Sequence, residues 1–400
     1  MRDYLVKLRA SGGLVEPGSV ALAVLVLTSL AFFRVALLPE FGAELTMSTF
    51  QLGAVTTVFA IGRLVADLPG GHLADQFPAR RLMAVSAAGL GVGSLVLGLS
   101  ESLLPVYVAA LLLGVSSSAT NTTGMTYFSN AGGSEFRGTS MAVFSAALLG
   151  GQALGPSAAG IIAGAGGWRL AMYVAAAAAG LVVMAIMVGS PSSPAEERQE
   201  QNVGEARSGS GGPRLVWLVV LQSVPFAVFL TLGSVPQTLV PLIGATDLGL
   251  GAAAIGLALG MGGLARFVGA LIGGRLSDRL SRKSALVPGL LVQALGVGLL
   301  AFPPTILTWI LAIVVMSLAS FAIPVAATIL GDLSDPARVG AQLGRFRFVG
   351  DLGLIVGPVA VSALYDGAGR EVAFLFVAGL LTAVAVICAR LLPETVPSRS

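Results

Sequence analysis

Few of the side chains that carry enzyme and metal chemistry are present in this sequence. Its 400 residues include one cysteine, Cys388, and one histidine, His72. A single cysteine excludes an internal disulfide and a cysteine-based metal site, and a single histidine excludes the HExxH zinc motif. Neither the GxxxxGK[ST] phosphate loop nor the GxSxG nucleophile motif occurs. We therefore expect neither an enzyme nor an ATP-driven pump, and no metal or other cofactor.

Charge is also scarce. Only 11% of the residues are charged and 55% are hydrophobic, whereas soluble domains carry about 25% charged residues. A soluble protein of this length would have to bury more apolar surface than one core holds. The apolar runs are continuous and not alternating, which indicates membrane helices and not the strands of an outer-membrane barrel.

Apolar runs of membrane-spanning length recur twelve times. A helix crosses the bilayer with about 20 mostly apolar residues. The predicted spans, numbered one to twelve, cover residues 19–40, 50–70, 83–100, 104–128, 139–164, 168–189, 214–243, 252–273, 284–301, 305–330, 343–365 and 370–392. We predict an all-α membrane protein with twelve transmembrane helices.

The positions of lysine and arginine predict how these spans are oriented. With the N-terminus in the cytosol, sixteen of the 23 basic residues fall on the cytosolic side and two, Arg169 and Arg370, on the other. The positive-inside rule then places both termini of this cytoplasmic-membrane protein in the cytosol. The polar N-terminus lacks the pattern of a signal peptide, so we interpret it as a cytosolic tail. The net charge of +3 thus reflects topology, and we expect no nucleic-acid partner.

The chain contains an internal repeat. The polar stretch 190–213, rich in Ser, Pro and Gly, is typical of a flexible linker and separates two sets of six spans. At an offset of 203 residues, Arg63, Gly71 and Asp75 align with Arg266, Gly274 and Asp278. Two copies with an even number of spans run parallel, related by an axis along the membrane normal. We predict pseudo-symmetric six-helix bundles at 1–189 and 214–400, joined by a cytosolic linker.

The aligned segments carry a charged motif twice. The first copy has Gly71, Leu73, Ala74, Asp75 and Arg80, and the second has Gly274, Leu276, Asp278, Arg279, Arg282, Lys283 and Leu286. Both resemble the GxLaDrxGrkxxL loop signature between spans two and three of the major facilitator superfamily, although Gln76, Pro78 and Ala79 depart from it. The resemblance implies that Asp75 faces the N-terminus of span eleven and Asp278 that of span five, as gating contacts. The alternative is that the motifs only anchor topology.

A glycine-proline segment in span five also resembles a family motif. GQALGPSAAG at 151–160 is similar to the span-five signature of drug:proton antiporters, although Ala142 and Ala159 stand where that pattern has glycine. The span-four arginine motif of that branch is absent at 109–111. Proline removes a helix hydrogen bond and bends a span. The candidate hinge residues are Gly155, Pro156, Gly357 and Pro358, with kinked packing as the alternative.

Polar residues inside spans are functional candidates because they are costly in lipid. Arg34 is predicted to contact cargo or a partner charge, or else to snorkel or pair structurally. Two sets at i, i+4 predict ion pairs, Arg63 with Asp67 and Arg347 with Asp351, and Asp351 is also a candidate proton-linked acid or a latch between spans. The other candidate cargo contacts, any of which could instead serve packing, are Asn121, Gln152, Gln222, Phe226 and Phe229.

Together these features predict a secondary transporter that works by alternating access. We expect proton-coupled export of a small apolar or amphipathic molecule by a monomer whose partners are that cargo, the lipid bilayer and the coupling proton. An importer or uniporter of the same fold, and a non-transporting membrane receptor, are the alternatives.

Overall fold

The computed structural model describes residues 15–130, 133–188, 215–279, 281–334 and 339–393. Within these ranges the chain forms helices and no strand. The predicted linker at 190–213 and the first fourteen residues lie outside the described residues. The helical fold class predicted from the apolar runs is therefore confirmed for the part of the chain that is described.

The helices follow the order of the predicted spans. Spans one to four are Val15–Glu44, Thr49–Gln76, Ala79–Gly98 and Leu103–Asn130, and spans five and six lie in Gly133–Val188. Span seven is Leu215–Ser234, continued by a π-helical segment, Val235–Leu239, and by Val240–Thr246. Spans eight and nine are Ala252–Arg279 and Arg282–Leu299; span ten is Ile306–Leu318, Ala319–Phe321 and Ala322–Leu333; and spans eleven and twelve lie in Val339–Leu391.

Two long helical segments each contain a break. Among the described residues nine helical stretches are long and apolar enough to cross a membrane, and two of them, Gly138–Val188 and Val339–Leu391, have 51 and 53 residues. The backbone is non-helical at Gly166 and Gly167 in the first and at Gly369 in the second. Each is long enough for two crossings of about 20 residues. If each long stretch counts as two spans and the 18-residue helix Arg282–Leu299 is added, the nine stretches become twelve spans. The count of twelve stays a prediction.

Several predicted span ends are wrong because the helices continue beyond the apolar run. Spans two and eight, predicted to end at 70 and 273, extend to Gln76 and Arg279. Both copies of the charged motif therefore lie mostly on helix and not in a loop. Hydropathy marks where a helix leaves the hydrocarbon, whereas the helix itself ends at the next stop signal. In the first copy that signal is Pro78. In the second, Ser281 caps the start of the following helix, and its Oγ accepts a hydrogen bond from the Ser284 N–H at 3.2 Å.

The helices form two compact units. The first takes its described residues from within 1–46, 58–196 and 250–263, and the second from within 47–57, 197–249 and 264–400. The first turns of span two therefore belong to the second unit, and the first turns of span eight belong to the first unit. The bundle boundaries at 189 and 214 stay a prediction.

Close helix contacts repeat between the two units. In the first, a methyl group added at Gly151 would lie 2.6 Å from the Leu25 carbonyl oxygen. In the second, a methyl group at Gly353 would lie 2.2 Å from the Phe226 carbonyl oxygen. One turn further on, a methyl group at Gly155 would lie 2.4 Å from the Ser29 carbonyl oxygen. A methyl group at Gly357 would lie 2.5 Å from the Leu230 carbonyl oxygen. Small residues that admit a neighbouring backbone are the usual means of helix association in lipid, and here both copies use them at matching positions.

The candidate hinge prolines make a second repeated contact. A methyl group at Gly256 would lie 2.2 Å from the Pro156 carbonyl oxygen in the first unit, and one at Gly53 would lie 2.5 Å from the Pro358 oxygen in the second. Gly53 and Gly256 are themselves 203 residues apart. Spans five and eleven therefore each pack against two other helices through their glycine-proline segments. This supports the alternative of kinked packing, and the hinge stays a prediction.

Two adjacent glycines offer a test of this packing. We expect Gly151→Ala to lower the free energy of unfolding by about 1–3 kcal/mol, because its methyl group meets the backbone of span one. Gly150→Ala is the matched control, since its methyl group would find only the Leu25 side chain at 3.5 Å, and alanine favours helix by about 1 kcal/mol. Thermal unfolding in detergent measures both. Equal midpoints for the two variants would contradict close packing at Gly151.

Candidate functional site

Arg34 is buried in the first unit. It lies about 15 Å before the end of span one, at 1.5 Å per residue, and is 1% exposed. Its guanidinium carbon lies 3.8 Å from the centroid of the Phe59 ring in span two, a cation–π contact. Arg63 lies one helical turn beyond Phe59 in span two. A side chain buried to this degree does not snorkel to the membrane surface, and the choice between cargo binding and structural pairing stays a prediction.

Span four supplies hydroxyl groups to Asp67. The Thr122 hydroxyl donates to Asp67 Oδ1 at 3.1 Å, and the Ser118 hydroxyl donates to the same oxygen. Ser86 of span three donates to the Ser116 carbonyl at 2.6 Å. The use of these span-four hydroxyls by an acid on span two was not predicted from the sequence. The Arg63–Asp67 pair stays a prediction.

The second unit places its candidates where spans seven and eleven pack. A methyl group at Gly350 would lie 2.7 Å from the Phe229 ring, and Phe226 contacts Gly353 through its backbone. Gln222 has a buried Oε1 without a hydrogen-bond partner, and Asp351 is 5% exposed. Pairing of Asp351 with Arg347 stays a prediction. In the first unit, Asn121 and Gln152 are half-buried, and their role as cargo contacts is likewise a prediction.

Span seven contains an irregularity that sequence reasoning missed. Val235–Leu239 forms a π-helical segment, in which the Thr238 hydroxyl donates to the Gly233 carbonyl at 2.9 Å and its Oγ1 lies 3.0 Å from Thr56 Oγ1. Pro236 and Pro241 both lack the N–H that a regular helix would use. Two prolines five residues apart in one span are the signal that could have found it. Such segments are frequent at functional sites.

Basic residues of the charged motif cap the last span of each copy. Arg80 Nε donates to the Ile186 carbonyl at 2.6 Å, and Lys283 Nζ donates to the Leu392 carbonyl at 2.9 Å. Arg80 and Lys283 are equivalent at the 203-residue offset. Cations at a helix C-terminus satisfy free carbonyls and oppose the helix dipole. The motif therefore fastens the ends of spans six and twelve, a role not predicted from the sequence.

The remaining motif residues are placed less completely. Arg282 forms an ion pair with Asp332 of span ten and donates to the Thr328 carbonyl at 3.2 Å. The side chains of Asp75, Asp278 and Arg279, and the surroundings of Gly71 and Gly274, lie outside the described residues, although the backbone there is helical. The gating contacts of both aspartates stay a prediction.

A second pair of repeated contacts lies at the opposite helix ends. In the first unit Glu44, the last residue of span one, binds Arg169 at 2.7 Å and the Trp168 indole N–H at 2.5 Å. In the second unit Asp247, just after span seven, binds Arg370 at 2.5 Å. These two arginines are the ones predicted to lie away from the cytosol. Each ion pair ties the first span of a copy to the start of its last.

This arrangement of apolar helices, duplicated helix contacts and duplicated end ties is that of a membrane transporter built from two copies. The chain belongs to the major facilitator superfamily, whose model matches residues 20–245 and 226–400. Among its relatives is the class C tetracycline resistance protein of Escherichia coli, 24% identical over 318 residues that cover 78% of this chain and 79% of the relative. Another is the enterobactin exporter EntS of Citrobacter koseri, 23% identical over 334 residues that cover 81% and 78%.

The fold is also that of solved transporters. A bacterial homologue of the human lysosomal transporter Spinster, in an inward-facing and occupied conformation, superimposes with a TM-score of 0.77 at 13% identity, covering 94% of this chain and 96% of that one. The predicted family and fold class are therefore confirmed. The chain is a multi-pass membrane protein and a secondary transporter of small molecules.

Neighbouring arginines provide a test of the helix cap. We expect Arg80→Gln to lower the free energy of unfolding by about 1 kcal/mol, since it removes a charged hydrogen bond to the end of span six. Arg81→Gln removes the same charge from an exposed neighbour and should leave stability unchanged. Denaturation in detergent, followed by helix signal, measures the difference. A loss of equal size in both variants would show that only net charge matters.

Proposed function

We propose that this transporter exports a small amphipathic or largely apolar molecule by alternating access, as a monomer with both termini in the cytosol. The observation that carries the proposal is the equivalence of the two copies. The same glycine contacts and the same end ties occur in both units, and alternating access moves one repeat against another around a central site. The outward direction is supported by the names of the relatives, a resistance protein and an exporter.

The proposed cargo contacts are mainly apolar and include few polar groups. Phe226, Phe229 and Gln222 belong to span seven, while Asn121 and Gln152 belong to the first unit. Sites for small molecules commonly combine apolar lining with a few orienting polar groups. Gly155-Pro156 and Gly357-Pro358 serve in this proposal as the bending points of spans five and eleven.

The proposal also includes coupling of export to proton entry. Asp351 is the acid proposed to bind the proton, because it is buried within span eleven beside the glycine-proline segment. The absence of the span-four arginine at 109–111 favours a second candidate, a uniporter that follows the gradient of its cargo.

Flux into proteoliposomes separates coupled from uncoupled transport. We expect the purified protein to accumulate tetracycline, chosen from the relatives, when the lumen is acidified, because an exchanger converts the proton gradient into a cargo gradient. Asp351→Asn should abolish the response to pH and leave downhill exchange intact. Accumulation that is indifferent to the pH gradient in the unsubstituted protein would remove coupling and favour the uniporter.

The proposed gate predicts the effect of the motif aspartates. We expect Asp75→Asn and Asp278→Asn each to lower downhill flux about two- to fivefold, the equivalent of losing one charge at a helix N-terminus. Glu101→Gln, an exposed acid in the turn between spans three and four, is the control and should transport normally. Normal flux in both aspartate variants, at equal protein content in the membrane, would mean that the motifs only set topology.

A further inference from the structure

We propose that a phospholipid with a negatively charged headgroup binds an exposed cleft between spans three and six of the first unit, with its phosphate at Arg81. The lipid belongs to the leaflet around the start of span three, which is the cytosolic leaflet in the proposed orientation. The proposal depends neither on the cargo nor on the direction of transport. It follows from the shape of the cleft and from the charge at its end.

The cleft is apolar and has a volume of about 560 Å³, within the range of sites that take small molecules. Small residues form much of its lining, and a methyl group added at Gly180 would meet no atom within 4 Å. Its rims are the exposed side chains of Val92 and Leu95 on span three and of Leu181 and Met184 on span six. A trough of this kind suits an extended acyl chain.

Arg81 stands at one end of this cleft. Exposed residues recur every three or four positions on span three and therefore form one row along the helix, namely Arg81, Val85, Ala88, Val92 and Leu95. Arg81 lies about 10 Å before Ala88 and about 16 Å before Val92 along the axis. Because half of the hydrocarbon core is about 15 Å thick, a lipid with its phosphate at Arg81 extends one acyl chain into the cleft.

The first turn of span three carries two arginines and no acid. Because the helix begins at Ala79 without a side-chain cap, Arg80 and Arg81 lie at the positive end of its dipole. Arg80 donates to the Ile186 carbonyl, whereas Arg81 is exposed and forms no hydrogen bond or ion pair within the described part of the chain. A phosphate there would bind the guanidinium and the free N–H groups of the helix end together.

The same charge disfavours a second copy of the chain as the occupant. Small residues such as Ala177 and Gly180 permit helices to associate in lipid. Two copies inserted with one orientation are related by an axis along the membrane normal, so a dimer through this cleft would bring Arg81 of one copy toward Arg81 of the other. Like charges repel, whereas a phosphate attracts the guanidinium. We therefore assign the cleft to a lipid.

The second unit provides a comparison within the same chain. Spans nine and twelve form a cleft of about 390 Å³ that includes Leu291, the equivalent of Ala88 at the 203-residue offset. The equivalent of Arg81 is Ser284, and Arg282 close by already forms an ion pair. We expect this second cleft to hold acyl chains with less preference for an anionic headgroup.

Photoreactive phospholipids test the proposal on the purified full-length protein in phosphatidylcholine vesicles. Two probes carry the same diazirine-labelled acyl chain, one on phosphatidylglycerol, which is anionic, and one on phosphatidylcholine, which has no net charge. Both leaflets contain the probe, so the result does not depend on orientation. Mass spectrometry identifies the labelled peptides. We expect phosphatidylglycerol to label residues 87–95 and 176–184 about fivefold more than phosphatidylcholine, the usual effect of one basic residue at a membrane surface.

Variants separate the charge from the cleft. Arg81→Gln should reduce the preference to about twofold or less, whereas Arg390→Gln, which removes an exposed arginine from the end of span twelve, should keep it. Gly180→Phe fills the cleft and should abolish labelling of both segments by either probe. If that variant fails to fold, Val92→Trp fills the cleft from the opposite rim. In detergent without phospholipid the site has no ligand, so Arg81→Gln stays neutral for unfolding there.

Equal labelling by the two probes overturns the proposal, and so does an unchanged preference in Arg81→Gln. A second copy in the cleft would be detected with Ala177→Cys, which places a thiol at an exposed position of the lining, while the natural Cys388 is buried. Oxidation in the same vesicles should leave this variant monomeric. A disulfide-linked dimer would assign the cleft to a second copy and overturn the lipid site. Labelling measures no transport, so none of these outcomes bears on the proposed export.

Discussion

Close approach of helix backbones at a few glycines is the constraint on which the rest of this structure depends. Lipid gives apolar helices no hydrophobic reason to associate, so packing must hold them. Gly151 and Gly155 bring span five against the backbone of span one, and Gly353 and Gly357 do the same for spans eleven and seven. Span one is thereby fixed along the stretch that leads to Arg34. A buried cation can keep one orientation only because the helix that carries it cannot turn toward lipid.

Charged side chains lie at three positions along the helices, namely at each end and in the middle, and they have a different role at each position. At one end Arg80 and Lys283 cap helix termini. At the other, Glu44 and Asp247 hold an arginine each, in partly exposed pairs whose individual contribution to stability is small. Only the middle position, where Arg34 lies, places charge where it is costly. That cost is the reason to connect the middle position with transport and the two end positions with architecture.

The sequence was sufficient for the features that depend on composition and spacing. Continuous apolar runs predicted the helices, a constant offset predicted the duplication, and the motif around Asp75 predicted the family. Contacts between distant residues were beyond it: Arg80 and Ile186 are separated by 106 positions, and nothing in either segment identifies the other. The helix ends were misjudged at Gln76 and Arg279 because hydropathy reports the solvent around a helix, whereas hydrogen bonding and proline decide where it stops.

Each copy joins its own first and last helices. Glu44 with Arg169 and Asp247 with Arg370 form these ties, and none of the four residues lies in the segment that connects the copies. A six-helix protein made from either half alone would already possess its closing contacts. The two copies still depend on each other for packing, because residues 47–57 of the first copy belong to the second unit and residues 250–263 of the second copy belong to the first.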